Sequence, residues 1–169
     1  IIFRVVENEK RQISKITFSG NDNLSARELL GEMETAPWRF WRFWSKRSRY
    51  RPSVLDEDLA KLREIYRNKG FLDVSVEQGG VAIGPRGTGK LDIIVKVEEG
   101  KRSFFGKSVL AGNVVLSTPE LLKNSEIKQG QPYSPALLSE ERNRLRKMYG
   151  ERGYLDARVL SIRTPNLKT

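Results

Sequence analysis

The feature that most constrains this chain is that it carries one module twice. LSARELL at 24–30 recurs as LSTPELL at 116–122, and Ser19-Gly20-Asn21 recurs as Ala111-Gly112-Asn113, both at an offset of 92 residues. IIFRVVEN at 1–8 maps at that same offset of 92 onto IIVKVEEG at 93–100. Further on, YRPSVLDEDLAKLREIYRNKGFLDVSV at 50–76 matches YSPALLSEERNRLRKMYGERGYLDARV at 133–159, now at an offset of 83. The first copy therefore holds nine additional residues between Leu30 and Tyr50. A fixed period marks a supersecondary unit used more than once, so the fold has to be closed within about 75 to 90 residues.

Period and punctuation give the parts of that unit. ISKITF at 13–18 alternates apolar and polar residues like a half-buried strand and ends at Gly20-Asn21, a turn signal. Ser25 with Glu28, and Ser117 with Glu120, have the spacing of a capping box, so each copy is expected to start a first helix there. Leu55, Leu59, Leu62 and Tyr66 recur at helical spacing and predict a second helix with one apolar stripe. Gly70 ends it, where a left-handed cap suits a residue without a side chain. FLDVSVEQG, a glycine-rich reversal and KLDIIVKVEEG then read as two strands of a hairpin. The order strand, helix, helix, strand, strand predicts a two-layer α+β module, with three strands covered on one face by two helices.

A strand ending in Gly-Asn, a capped helix, and a second helix closing on Tyr-x-x-x-Gly-(Phe/Tyr)-Leu-Asp resembles the POTRA module. YRNKGFLD at 66–73 and YGERGYLD at 149–156 carry the likeness in both copies. The tandem arrangement is similar to the periplasmic arm of BamA-like outer-membrane protein assembly factors. The resemblance implies tandem β-α-α-β-β modules, each a three-stranded mixed sheet whose third strand is central and whose second strand lies on an edge. Val74, Ser75, Val76, Glu77 and Gln78 would form that edge in one copy. Ala157, Arg158, Val159, Leu160 and Ser161 would form it in the other. An open edge offers backbone donors and acceptors to any extended chain, largely whatever its side chains. The resemblance further implies a non-catalytic scaffold on the periplasmic side of the bacterial outer membrane. Its expected partners are unfolded outer-membrane β-barrel proteins and accessory assembly lipoproteins, with a C-terminal barrel in the parent protein. The expected domains are a trailing third strand of a preceding module at 1–10, a complete module at 11–100 and a second at 101–169 that lacks its third strand. That last sheet is expected to be left short or to be completed by another chain, for instance by residues 1–8 of a neighbour.

Composition narrows the chemistry. The 169 residues include no cysteine and no histidine, which removes thiolate and imidazole catalysis and most zinc sites. No catalytic residue, cofactor or metal is expected. Apolar runs are too short to span a bilayer. The net charge of +10 favours anionic partners without choosing among them. Six of the basic residues lie between 39 and 51, interleaved with all three tryptophans in WRFWRFW at 38–44. Wound as a helix, this segment would be amphipathic, and it is expected to be a partly buried elaboration of the helix–helix connection. Trp38, Arg39, Trp41, Arg42 and Trp44 are then candidates for a partner or membrane-proximal surface. The alternative function, a nucleic-acid-binding α+β protein, would use the same basic stretch 39–51, although no nucleic acid is expected as a partner. Gly84 to Lys90 nearly spells a phosphate loop, but Leu91 stands where a hydroxyl is needed and a strand follows where a helix is required, so a hairpin tip is expected. Asp56, Glu57 and Asp58 are expected to be solvated charge at a helix start.

Overall fold

The computed structural model describes residues 11–37, 48–83 and 90–164. The chain divides into two compact units, Ile1–Arg67 with Phe71–Lys101 and Asn68–Gly70 with Arg102–Thr169. In unit 1 the order is β1 (Gln12–Ser19), α1 (Ala26–Glu32), α2 (Pro52–Asn68), β2 (Ser75–Ile83) and β3 (Lys90–Glu98). The strands form one mixed sheet ordered β1-β3-β2, with β3 parallel to β1 and antiparallel to β2. The α+β class and the central third strand are as expected.

Alternation dictates which side of this sheet is covered. Ile13 and Ile16 of β1, Val76 of β2, and Ile93, Val95 and Val97 of β3 all point to one face, where Leu29 of α1 and Leu55, Leu59, Leu62 and Tyr66 of α2 meet them. The intervening Ile94, Lys96 and Glu98 face solvent. A strand with one face on a core and one in water has this period of two.

The acidic start of α2 departs from expectation at one residue. Asp58 is only 4% exposed, and its carboxylate accepts the backbone N–H of Glu34 at 2.6 Å and of Thr35 at 2.8 Å. Its negative charge is therefore taken up by two backbone donors rather than by water, and it pins the chain as it enters the helix–helix connection. Sequence spacing could not show this, because the donors lie 24 and 23 residues away.

Unit 2 contains α3 (Thr118–Leu122) and α4 (Pro135–Gly150). Leu116, Leu121 and Leu145 are its buried cluster, with Leu110, Met148, Tyr149 and Val159 packed partly against it. Among the described residues of this unit there is no strand, so the expected edge at 157–161 is not part of a sheet here. In unit 1 both outer strands take their ladders from the central β3, and the described residues of unit 2 supply no such strand. Without a central strand the counterparts of β1 and β2 have no backbone partners between them. They border instead a groove of about 630 Å³ lined by Val109, Leu110, Tyr154, Val159 and Leu160 among others.

Candidate functional site

The two edges of the sheet in unit 1 are not equivalent. On the β1 side, the connection into α2 covers the start of the strand: the Tyr50 N–H donates to the Arg11 carbonyl at 3.0 Å and Arg49 bridges Gln12. The repeat does the same thing in unit 2, where the Tyr133 N–H donates to the Ser103 carbonyl at 2.9 Å and Pro132 bridges Phe104. On the other side of the sheet, β2 pairs with β3 alone among the described residues.

The sequence of β2 determines how that edge is presented. Val74 and Val76 are buried, Val76 completely, so the strand is anchored to the core through alternate residues. Ser75 and Glu77 point the other way, and the Ser75 hydroxyl donates to the Glu77 carboxylate at 2.9 Å. Glu77 and Gln78 are exposed. The register with β3 shifts between Gln78 and Gly80, a bulge at Gly79 that divides the strand into two regular runs, Ser75 to Gln78 and Gly80 to Ile83. Across from Glu77 stands Lys96, whose ammonium lies 2.7 Å from Glu98. The hydrogen bond to Glu98 raises the Lys96 ammonium above its usual value and correspondingly lowers the Glu98 carboxyl. These groups decorate the solvent face. What the edge offers chemically is a short run of main-chain donors and acceptors.

One side chain at this edge was not singled out by the sequence patterns. Arg63, half-buried on α2, donates its Nε–H to the Val76 carbonyl at 3.0 Å. A signal for it does exist: Arg63 and Val76 recur as Arg146 and Val159, both at the offset of 83.

The remaining expected residues are placed as follows. Ala157, Arg158, Val159, Leu160 and Ser161 lie along the groove of unit 2 without strand pairing. Trp38, Arg39, Trp41, Arg42 and Trp44, the stretch 1–10 and the hairpin tip at 84–89 lie outside the described residues. Lys90 opens a strand, not a helix, so the near-match to a phosphate loop lacks the element that would hold a phosphate. Among the described residues there is no cluster of three or more acidic, histidine or cysteine side chains able to hold a metal ion. No helix among them is long and apolar enough to cross a membrane.

Comparison with known proteins agrees with this geometry. The POTRA family, described as surface antigen variable number repeat, matches residues 12–100 and 104–169. The chain belongs to the POTRA family. Outer membrane protein assembly factor BamA of Neisseria meningitidis serogroup B (strain ATCC BAA-335 / MC58) is 26% identical over 168 residues, covering 96% of this chain and 20% of that protein. The BamA of Neorickettsia risticii (strain Illinois) is 25% identical over 157 residues, covering 92% of this chain and 21% of that protein. These POTRA repeats thus span about a fifth of the length of the curated relatives they match. Among solved structures, the Haemophilus influenzae BamA POTRA3-5 aligns with a TM-score of 0.56 at 21% identity, over 91% of this chain and 60% of that one, which shows the same fold.

Proposed function

We propose that this chain is part of the periplasmic arm of an outer-membrane protein assembly factor. It is a non-catalytic scaffold that holds unfolded outer-membrane β-barrel proteins and accessory assembly lipoproteins by strand addition. The observation that carries this reading is the asymmetry of the sheet in unit 1: the connection into α2 bridges the start of β1 at Gln12, while among the described residues β2 pairs with β3 alone, next to a solvated face. Strand addition draws its affinity from main-chain hydrogen bonds, which suits a scaffold with many clients that share only an alternating apolar and polar pattern. The likeness to two BamA proteins supports the setting. The bulge at Gly79 separates Ser75 through Gln78, the run anchored to the core by Val76, from Gly80 through Ile83, and that anchoring supports the first as the pairing run.

The test uses a synthetic peptide with the alternating pattern of a barrel strand, and the same peptide N-methylated at every second residue. N-methylation removes backbone donors and leaves side chains untouched, so binding is expected to be lost. Equal binding of both peptides would overturn edge pairing. Because the chain has no cysteine, single replacements give unique cross-linking positions. Gln78→Cys on β2 is expected to cross-link a cysteine-bearing peptide, and Gln12→Cys at the bridged start of β1 is not.

A further inference from the structure

We propose that Arg63 is a built-in placeholder on the β2 edge: it holds the Val76 carbonyl in the free protein and releases it to the N–H of an incoming strand. This rests on the edge-binding reading above and adds its regulation. Three observations carry it. First, the contact is a single side-chain donor on a main-chain acceptor of the strand that, among the described residues, has a neighbour on one side only. The ladder with β3 occupies one side of β2, so a guanidinium arriving from the helix layer takes a position that a pairing strand would need. Second, Arg63 is well suited to being displaced. It is half-buried, its neighbour Leu62 anchors α2 in the core, and a guanidinium has five donors that water satisfies readily once it swings out. Third, the pair is repeated. Arg63 precedes Val76 by 13 residues, and Arg146 stands in the same relation to Val159. In unit 2, where residues 157–161 form no strand, Arg146 is exposed. The contact thus accompanies the formed strand and is not a property of the helix alone. An edge guarded by a charged side chain is also protected from pairing with the edge of another copy, a hazard of every open sheet margin.

A competitor and a mere tether between helix and sheet predict opposite results. The variant Arg63→Met keeps the aliphatic stem and removes every donor. If Arg63 is a placeholder, the alternating peptide binds Arg63→Met about fivefold more tightly than wild type, the factor expected from one hydrogen bond no longer broken on binding. Self-association of Arg63→Met at high concentration, read by sedimentation, is expected to rise as well. Arg63→Lys retains charge and a donor, so its gain is expected to fall between the two, and it serves as the reporter if Arg63→Met does not fold. Equal or weaker peptide binding by whichever variant retains wild-type circular dichroism overturns the proposal. The N-methylated peptide separates this failure from failure of the edge reading. If N-methylation abolishes binding to wild type and the Arg63 variants gain nothing, the edge stands and the placeholder falls. If N-methylation has no effect, both fall.

Discussion

The two copies differ less in their local chemistry than in what that chemistry encloses. In each, the Asn side chain after the turn glycine donates to a carbonyl three residues on, Asn21 to Leu24 at 2.7 Å and Asn113 to Leu116 at 2.9 Å. Each second helix ends in the same backbone bond, from Phe71 to the Tyr66 carbonyl and from Tyr154 to the Tyr149 carbonyl, both at 3.1 Å. Each end carries an edge-to-face aromatic pair, Tyr66 with Phe71 at 5.8 Å and Tyr149 with Tyr154 at 6.3 Å. Yet Phe71 is 3% exposed and Tyr154 is 48% exposed. Among the described residues, fifteen buried ones make the core of unit 1 and three make the cluster of unit 2. Turns, caps and aromatic clasps form from neighbours in sequence, whereas burial waits for the central strand that gives the helices a surface to cover.

The sharpest way to break this comparison is to delete the same core side chain in both copies. Leu62 and Leu145 are equivalent, but Leu62 is fully buried between α2 and the sheet while Leu145 belongs to the small cluster. Leu62→Ala is expected to cost about 4 kcal/mol and Leu145→Ala about 1–2 kcal/mol, since the cost grows with the cavity that the surroundings cannot fill. Residue-resolved hydrogen exchange under increasing denaturant assigns each loss to its unit. Equal losses would show that unit 2 is as tightly packed as unit 1.

A glycine pair tests the same difference from the strand side. Gly20 and Gly112 have nearly the same left-handed backbone, with φ of 78° and 79°. A Cβ on Gly20 would come within 2.2 Å of the Val97 carbonyl oxygen of β3, whereas a Cβ on Gly112 would meet nothing within 4 Å. Both alanine variants carry the strain of that φ, about 1 kcal/mol. Gly20→Ala must also push β3 aside, which brings its expected cost to about 3 kcal/mol. Chemical denaturation compares the two directly.

Unit 2 compensates for its small cluster with a polar staple. Arg144 engages Glu141 with two bonds, Nε at 2.9 Å and Nη2 at 2.7 Å, and Nη2 also donates to the Leu121 carbonyl, tying α3 to α4. Burial pushes the Glu141 carboxyl up, but hydrogen bonds from Arg144 and Ser125 and the Arg144 charge hold it below its usual value of 4.5. A carboxyl lowered in the folded state contributes stability that is present in full above about 4.5 and is lost as pH falls through the lowered value. Arg144→Met leaves Glu141 buried without its cation, at an expected cost of about 2 kcal/mol at pH 7. The sign then reverses, because burial alone raises the carboxyl: acidification is expected to weaken unit 2 in wild type and to relieve it in Arg144→Met. Exchange rates in α4 at pH 7 and pH 4 read both slopes.

These contrasts mark how far the sequence could be read. Leu55, Leu59, Leu62 and Tyr66 announce their burial through helical spacing, and ISKITF and KLDIIVKV announce theirs through alternation, because both patterns are local. The central place of the third strand was legible through the likeness of the two YxxxG(F/Y)LD segments to a known module. Asp58 and Arg63 were not legible as contacts, because their partners are main-chain atoms brought close only by the fold. At 157–161 the resemblance implied an edge strand while the same reading expected that sheet to be left short, and the described residues there form no strand.

The smallest contrast lies in the caps of the two first helices, where sequence spacing predicts the same box twice. Ser25 accepts the Glu28 N–H at 3.3 Å, and the Glu28 carboxylate returns to the Ser25 N–H at 2.9 Å, so two otherwise orphaned backbone donors are satisfied. Ser117 likewise accepts the Glu120 N–H, at 3.4 Å, but the Glu120 carboxylate takes the Arg152 guanidinium from the end of α4 instead. Ser25→Ala removes a reciprocated cap and is expected to cost about 1 kcal/mol, while Ser117→Ala removes one longer bond and is expected to cost about half as much. The complementary change separates the roles of the two glutamates. Glu28→Gln can still return a bond to the cap, so it is expected to change stability little. Glu120→Gln gives up a surface ion pair worth well under about 1 kcal/mol, an effect that should fade as salt is raised. A loss in Glu120→Gln that does not fade with salt would show that the ion pair with Arg152 is not what Glu120 contributes.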